Sequence, residues 1–232
     1  MTLTLIAFDA DDTLWENEAL YRNTEQRYKN LLEKYVSVGD LDSELFKTEI
    51  SNLEYFGYGI KSFTLSMVET AGRLTNGCIS ANDLLEIIQF SKDMLDAPVE
   101  LLPGVKGVVS QLSQDYELMI ITKGDLLDQK RKLSRSGLET YFKSVEIVTD
   151  KTEEIYASMF DTHAIDPTQF LMVGNSLRSD ILPVVALGAR AVYIPSVLTW
   201  AHEHDIDHMA NNGDYYELES ISSLPDLIQR IR

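Results

Sequence analysis

The sequence predicts an α/β protein: a parallel sheet core with helices on both faces, carrying an inserted all-α domain. Three observations predict it. Five short runs rich in apolar and β-branched residues recur along the chain. Each is nearly continuous rather than alternating, as in strands covered on both faces. From residue 103 onward amphipathic stretches separate these runs, and strand–helix alternation means parallel pairing with right-handed crossovers. Residues 16–96 break the alternation with helical patterns alone.

In chain order, the predicted strands are TLIAF (4–8), ELMIIT (117–122), SVEIVT (144–149), QFLMVG (169–174) and ARAVYIP (189–195). Between the first two, ENEALYRNTEQRYKNLLEKYV reads as a long helix with Tyr21, Tyr28, Leu32 and Tyr35 along one stripe. Helices follow around 42–54, 60–74 and 80–95, the last opening on Ser80 as N-cap with Asp83 at capping-box spacing. Then PGVKGVVSQL places Val105, Val108, Val109 and Leu112 on one face, with Pro103 suited to an early helical position. DLLDQKRKLSRSG (125–137) and KTEEIYASMF (151–160) behave similarly, and Gly137 and Gly188 read as C-terminal helix stops. The expected organisation is a Rossmann-like core domain, 1–15 and 97–232, and a helical domain, 16–96. Hinges are expected near Trp15–Asn17 and Ala97–Pro103.

Composition sets bounds on function. The chain has 232 residues, 44% of them apolar, enough for a substantial core. A formal net charge of -17 argues against nucleic acid or an anionic membrane as main partner. An anionic substrate would therefore need individually placed lysines and arginines. The single cysteine, Cys78, excludes an internal disulfide, suits a reducing compartment and reads as a small buried side chain. The opening MTLTLIAFDADD lacks a basic n-region, so no signal peptide is expected. No apolar stretch approaches the roughly 20 residues of a membrane helix. The expected location is the cytoplasm.

Polar residues punctuate the strand ends. Asp9 ends the first strand and Thr122 the second; Lys151 comes just after the third, and Asn175 follows the fourth. Ligands of open α/β sheets sit outside the carboxyl ends of the strands, so these residues converge on one rim. FDADDTL also crowds Asp9, Asp11 and Asp12 into four positions. Like charges that close are unfavourable unless something positive sits among them.

This constellation resembles the haloacid dehalogenase-like (HAD) hydrolase superfamily. FDADDTL is similar to its first motif, DxDxT; IIT (120–122) to its second; Lys151 in DKTEEIY to its third; and GNSLRSD (174–180) to its fourth. The order, the spacing and the LLPGV before the second strand fit along the whole chain, and the helical insert is placed like the superfamily's α-helical cap. The resemblance implies a Mg2+-dependent phosphatase acting on a small phosphorylated metabolite through a phospho-aspartyl intermediate. In that reading Asp9 is the nucleophile and Asp11 the acid and base, as phosphoryl transfer requires. Thr122 holds a phosphoryl oxygen, Lys151 offsets charge, and Mg2+ binds the Asp9 carboxylate and the main-chain carbonyl of Asp11, with Asn175 and Asp180 completing the site.

The chain also departs from the pattern. Asp12 stands where Gly is common and reads as a local turn residue, while Thr13 braces the loop. Asn175 replaces an acidic metal ligand; its oxygen can coordinate but brings no charge. Asp180 is then the remaining acid of the motif, a ligand directly or through a water. Lys123 and Arg178 are candidate substrate contacts or merely solvated cations. His202, His204 and His208 in TWAHEHDIDH do not make HExxH and read as a solvated loop or short helix rather than a zinc site. Rival readings are a 2-haloacid dehalogenase, which generally lacks the second aspartate of the first motif; a phosphomutase; and a non-catalytic binding protein. Substrate selection is expected around YFGYGIKSF (55–63), where aromatics equally suit packing.

Overall fold

The computed structural model describes residues 3–36, 38–198, 200 and 215–231. The chain divides into two compact units. One comprises Met1–Glu18, Val99–Lys123 and Gln129–Arg232; the other comprises Ala19–Pro98 and Gly124–Asp128.

The first unit is built on six parallel strands: β1 (Leu5–Phe8), β2 (Glu117–Lys123), β3 (Ser144–Val148), β4 (Phe170–Gly174), β5 (Arg190–Tyr193) and β6 (Tyr216–Glu217). Their order in the sheet is β3-β2-β1-β4-β5-β6. The chain thus builds outward from β1 on one side, then crosses to start again at β4 on the other. That reversal opens a crevice at the carboxyl ends flanking β1. Register keeps these ends level, since Phe8 pairs with both Ile120 and Val173.

Continuous apolar strands are explained by burial on both faces. Ile6, Phe8, Leu118, Ile120, Leu171 and Val173 pack on one face with Val105, Val108, Val109 and Leu112 of the helix Val105–Leu112. Ala7, Met119, Ile121 and Met172 pack on the other with Tyr156, Met159 and Phe160 of the helix Glu153–His163. Each fully buried Leu or Ile here contributes about 2 kcal/mol. Gly137 and Gly188 end their helices at positive φ, as their positions predict. Strand β6 was not legible in the sequence, because two residues carry no period. The C-terminal helix Leu224–Ile231 is a further addition, with Leu224, Leu227 and Ile228 buried.

The second unit holds α1 (Glu18–Leu32, whose first residue belongs to the first unit), α2 (Leu41–Phe56), α3 (Ile60–Leu74) and α4 (Ala81–Asp96). Its core gathers Tyr28, Leu32, Leu45, Phe63, Met67 and Phe90 among others, with Tyr21 and Tyr35 partly buried beside it. Tyr28 donates its hydroxyl to Met67 O at 2.7 Å. The predicted N-cap is present, since Ser80 Oγ accepts the Asp83 N–H (3.1 Å) and donates to Asp83 Oδ2 (2.6 Å), but the box is not closed: the Ser80 N–H donates to the Tyr35 hydroxyl (3.0 Å) rather than to Asp83. Segment 124–128 joins this unit through Lys61, whose Nζ lies 2.9 Å from Asp125 Oδ2. Helix α1 stops at Leu32, short of the predicted end, where Tyr35 and Val36 both donate to Leu32 O. Cys78 is exposed, not buried. It follows Asn76 and Gly77, both at positive φ, and the tight turn they make points this short side chain outward.

Candidate active site

The ladder between β1 and β4 runs one residue past the strand, with the Asp9 N–H donating to Val173 O (2.9 Å). This sets the Asp9 carboxylate at the crevice, only 7% exposed. Its Oδ1 accepts Lys151 Nζ at 2.5 Å and its Oδ2 accepts the Thr13 hydroxyl at 3.0 Å. The same hydroxyl lies 3.2 Å from Asn175 Oδ1, so Thr13 ties the ends of β1 and β4 together. Lys151 Nζ also donates to Asp180 Oδ1 (2.6 Å), and Asp180 Oδ2 accepts the Ser176 N–H (3.0 Å).

The sequence-predicted Asp9, Lys151 and Asp180 therefore meet in one buried cluster, and Thr13 links the half-buried Asn175 to it. Two carboxylates share one ammonium, which leaves a surplus negative charge. Burial lifts the Asp9 carboxyl to about 7; Lys151 opposes that rise and Asp180 adds to it. Burial works against the charge of Lys151, but Asp180 and Asp9 outweigh it and raise its pKa above the ordinary lysine range.

Asp180 reaches the cluster from a π-helical turn, Leu177–Ile181. A Cβ on Gly174 would stand 2.3 Å from Asp180 Oδ2, so only glycine admits this close approach. Tyr156 pins the turn by donating its hydroxyl to Ser179 O (3.1 Å).

Asp11 has its own surroundings. Its Oδ1 accepts the Trp15 indole N–H (2.7 Å), and its Oδ2 accepts Gln129 Nε2 (2.9 Å). Lys132 Nζ reaches both oxygens, at 3.0 and 3.1 Å. Asp12 takes the predicted local role. At φ 60, its carboxylate accepts the N–H groups of Asn17 and Glu18 and so caps the start of α1. Burial raises its carboxyl to about 6, with the two backbone donors partly opposing.

Thr122 is buried at the end of β2; its hydroxyl accepts from Gln129 Nε2 (3.2 Å). Lys123 is turned inward rather than solvated, donating to Ser179 Oγ (2.9 Å) and lying 3.9 Å from Asp150 Oδ1. Arg178 is half-buried in the π-helical turn. His202, His204 and His208 lie outside the described residues.

Among the described residues no three His, Cys, Asp or Glu side chains form a metal-holding group. The cluster nevertheless suits a hard dication. Its donors are oxygens, Asp9 Oδ2 and Asn175 Oδ1 meet at one hydroxyl, and the surplus negative charge is unbalanced.

A family profile described as haloacid dehalogenase-like hydrolase matches residues 3–188. The chain belongs to this family. A haloacid dehalogenase-like family hydrolase from Xanthomonas campestris is similar in structure, with a TM-score of 0.87 and 36% identity over 99% of this chain and 92% of that one. The human N-acylneuraminate-9-phosphatase is 23% identical over 97% of this chain and 94% of its own length. A Bacillus subtilis HAD hydrolase bound to magnesium shares the fold at TM-score 0.69 and 18% identity, covering 99% of this chain and all of that one.

Against the HAD pattern, sequence reasoning missed Trp15, Gln129 and Lys132. In DLLDQKRKLSRSG, lysine and glutamine read as the solvated side of an amphipathic helix. The available signal was a shortage of apolar residues. Within the helix Leu126–Ser136, Leu126 and Leu127 are exposed and Leu133 is buried, so Asp128 and Gln129 take up buried positions. Among the described residues no helix is long and apolar enough to cross a membrane.

Proposed function

We propose that the protein is a Mg2+-dependent phosphatase that hydrolyses a small phosphorylated metabolite through a phospho-aspartyl intermediate. The observation that carries this reading is the Asp9 carboxylate, buried at the end of β1 and oriented by Lys151 and Thr13, with Asp11 two residues on. The phosphatase names of its full-length relatives support it.

Asp9 attacks phosphorus in line; the bond to the leaving oxygen breaks, and that oxygen leaves with its electron pair and takes a proton from the Asp11 carboxyl. Asp11, now a carboxylate, removes a proton from a water that attacks the phospho-aspartate. The P–O bond to Asp9 breaks, releasing inorganic phosphate and restoring the enzyme. Lys151 offsets the charge of Asp9 and the phosphoryl group, and Thr122 donates its hydroxyl to a phosphoryl oxygen. Asp180 holds Lys151 in place, and Lys123 and Arg178 contribute positive charge towards the substrate. Mg2+ would be held by Asp9, the Asp11 carbonyl and Asn175, with Asp180 behind them, and would supply further neutralisation of phosphoryl charge. Residues 16–96 act as the cap domain, with 55–63 contributing to substrate choice, and the enzyme works in the cytoplasm.

The reading is tested by hydrolysis of p-nitrophenyl phosphate with and without Mg2+, using Asp9→Asn as control. Activity that needs both Mg2+ and Asp9 is expected. Turnover that survives Asp9→Asn would sink the mechanism. Chloride release from a 2-chloro acid at Asp9, without Mg2+, would replace it with the dehalogenase reading.

A further inference from the structure

We infer that Gln129 and Lys132 are positioning residues that aim the Asp11 carboxyl at the leaving oxygen and thereby govern how poor a leaving group the enzyme accepts. The inference rests on the phosphatase reading.

Asp11 sits on a short loop after β1, and a carboxylate there would ordinarily swing about two side-chain bonds. Here both oxygens are held: Oδ1 by Trp15 and Lys132, Oδ2 by Gln129 and Lys132. Lys132 is not a solvated surface cation. Its side chain is 12% exposed, and Nζ also donates to Asn17 Oδ1 at 2.7 Å, on the far side of the loop. Gln129 and Lys132 stand one turn apart on a single helix, so the clamp is delivered by a rigid element rather than by the loop itself.

Gln129 adds a second tether. Its Nε2 reaches Asp11 Oδ2, Thr122 Oγ1 and Lys123 O (2.6 Å), joining the acid–base group to the hydroxyl proposed to hold the phosphoryl oxygen. Its own Oε1 is buried without a hydrogen-bond partner. A buried amide whose two N–H groups are shared among three acceptors while its own acceptor is unpaired is set by their geometry rather than by its own stability. Proton transfer requires that geometry, since donor and acceptor must come within hydrogen-bond reach.

A misplaced acid matters most when the departing oxygen is strongly basic. The test compares kcat/KM for phenyl phosphate and p-nitrophenyl phosphate, whose aryl groups are nearly alike while phenolate leaves far less readily. For Lys132→Met, a loss of about 100-fold on phenyl phosphate and of about tenfold or less on p-nitrophenyl phosphate is expected. Lys132→Arg should recover part of the phenyl phosphate rate, and Gln129→Leu should show the same leaving-group bias. Equal losses on both substrates in soluble, folded variants, or none, would overturn the inference while leaving the phosphatase reading intact. A wild-type enzyme that hydrolyses neither ester with Mg2+ would instead overturn that reading, and the inference with it.

Discussion

Asp9 and Asp83 are both nearly buried aspartates, 7% and 6% exposed, and the protein treats them in opposite ways. Asp83 opens α4 with its charge fully answered. Lys34 donates to it at 2.6 Å, Ser80 at 2.6 Å and the Tyr35 hydroxyl at short range. These hydrogen bonds, from Lys34 first, hold its carboxyl down at about 2. Lys34 is itself half exposed, so this pair remains close to water. Asp9 instead faces a lysine that is itself enclosed and must share it with Asp180, and burial lifts its carboxyl to about 7. One aspartate is satisfied by the fold; the other is held in readiness for something the fold does not contain. Active sites are built from the second kind.

Four substitutions would break or sharpen that comparison. The largest effect is expected for Asp9→Asn, which should lower phosphate release by about 1,000-fold or more. Because it removes the surplus carboxylate, its thermal midpoint should match or exceed that of the wild type; a clear fall would show that Asp9 is structural after all. Gly174→Ala forces a Cβ against Asp180 and should cost about 2–4 kcal/mol in chemical denaturation, with activity lost alongside. Asn175→Asp should reduce the Mg2+ concentration for half-maximal activity by about tenfold, as a neutral oxygen ligand becomes a charged one. An unchanged titration would place Asn175 outside the metal shell.

The smallest effect belongs to the satisfied partner. Asp83→Asn should leave turnover unchanged and lower the thermal midpoint by a few degrees. The sign with pH follows from the depressed carboxyl. Its contribution is fully present above the ordinary aspartate value of 3.8 and is lost as pH falls through about 2. The difference in midpoint between wild type and Asp83→Asn should therefore close over that window; a constant difference would assign the stabilisation to packing.

The two aspartates also differ in how they can be read. Asp83 was legible from three-residue spacing behind Ser80, because helix capping is a local device. Asp9 was legible because it ends a buried strand, and Thr122, Lys151 and Asn175 could be aligned with it once parallel strands were inferred. The partners of Asp11 were not. Gln129 and Lys132 lie more than a hundred positions downstream, in a helix whose polar residues look solvated until the fold brings the loop of Asp11 against them. The burial of Cys78 was misjudged for the converse reason. Residue type favours the interior, but a turn at positive φ decides otherwise.

The sequence by itself determined the parallel α/β core, the helical insertion and the strand-end residues, since period, length and strand termini are properties of neighbouring positions. Tertiary structure decided which charges are shared. That Asp180 would compete with Asp9 for Lys151, that Thr13 would join Asp9 to Asn175, and that Lys132 would grip Asp11 depend on distances between segments far apart in the chain. Electrostatic interactions depend on separation and on burial, and both are settled only when the sheet has closed its core.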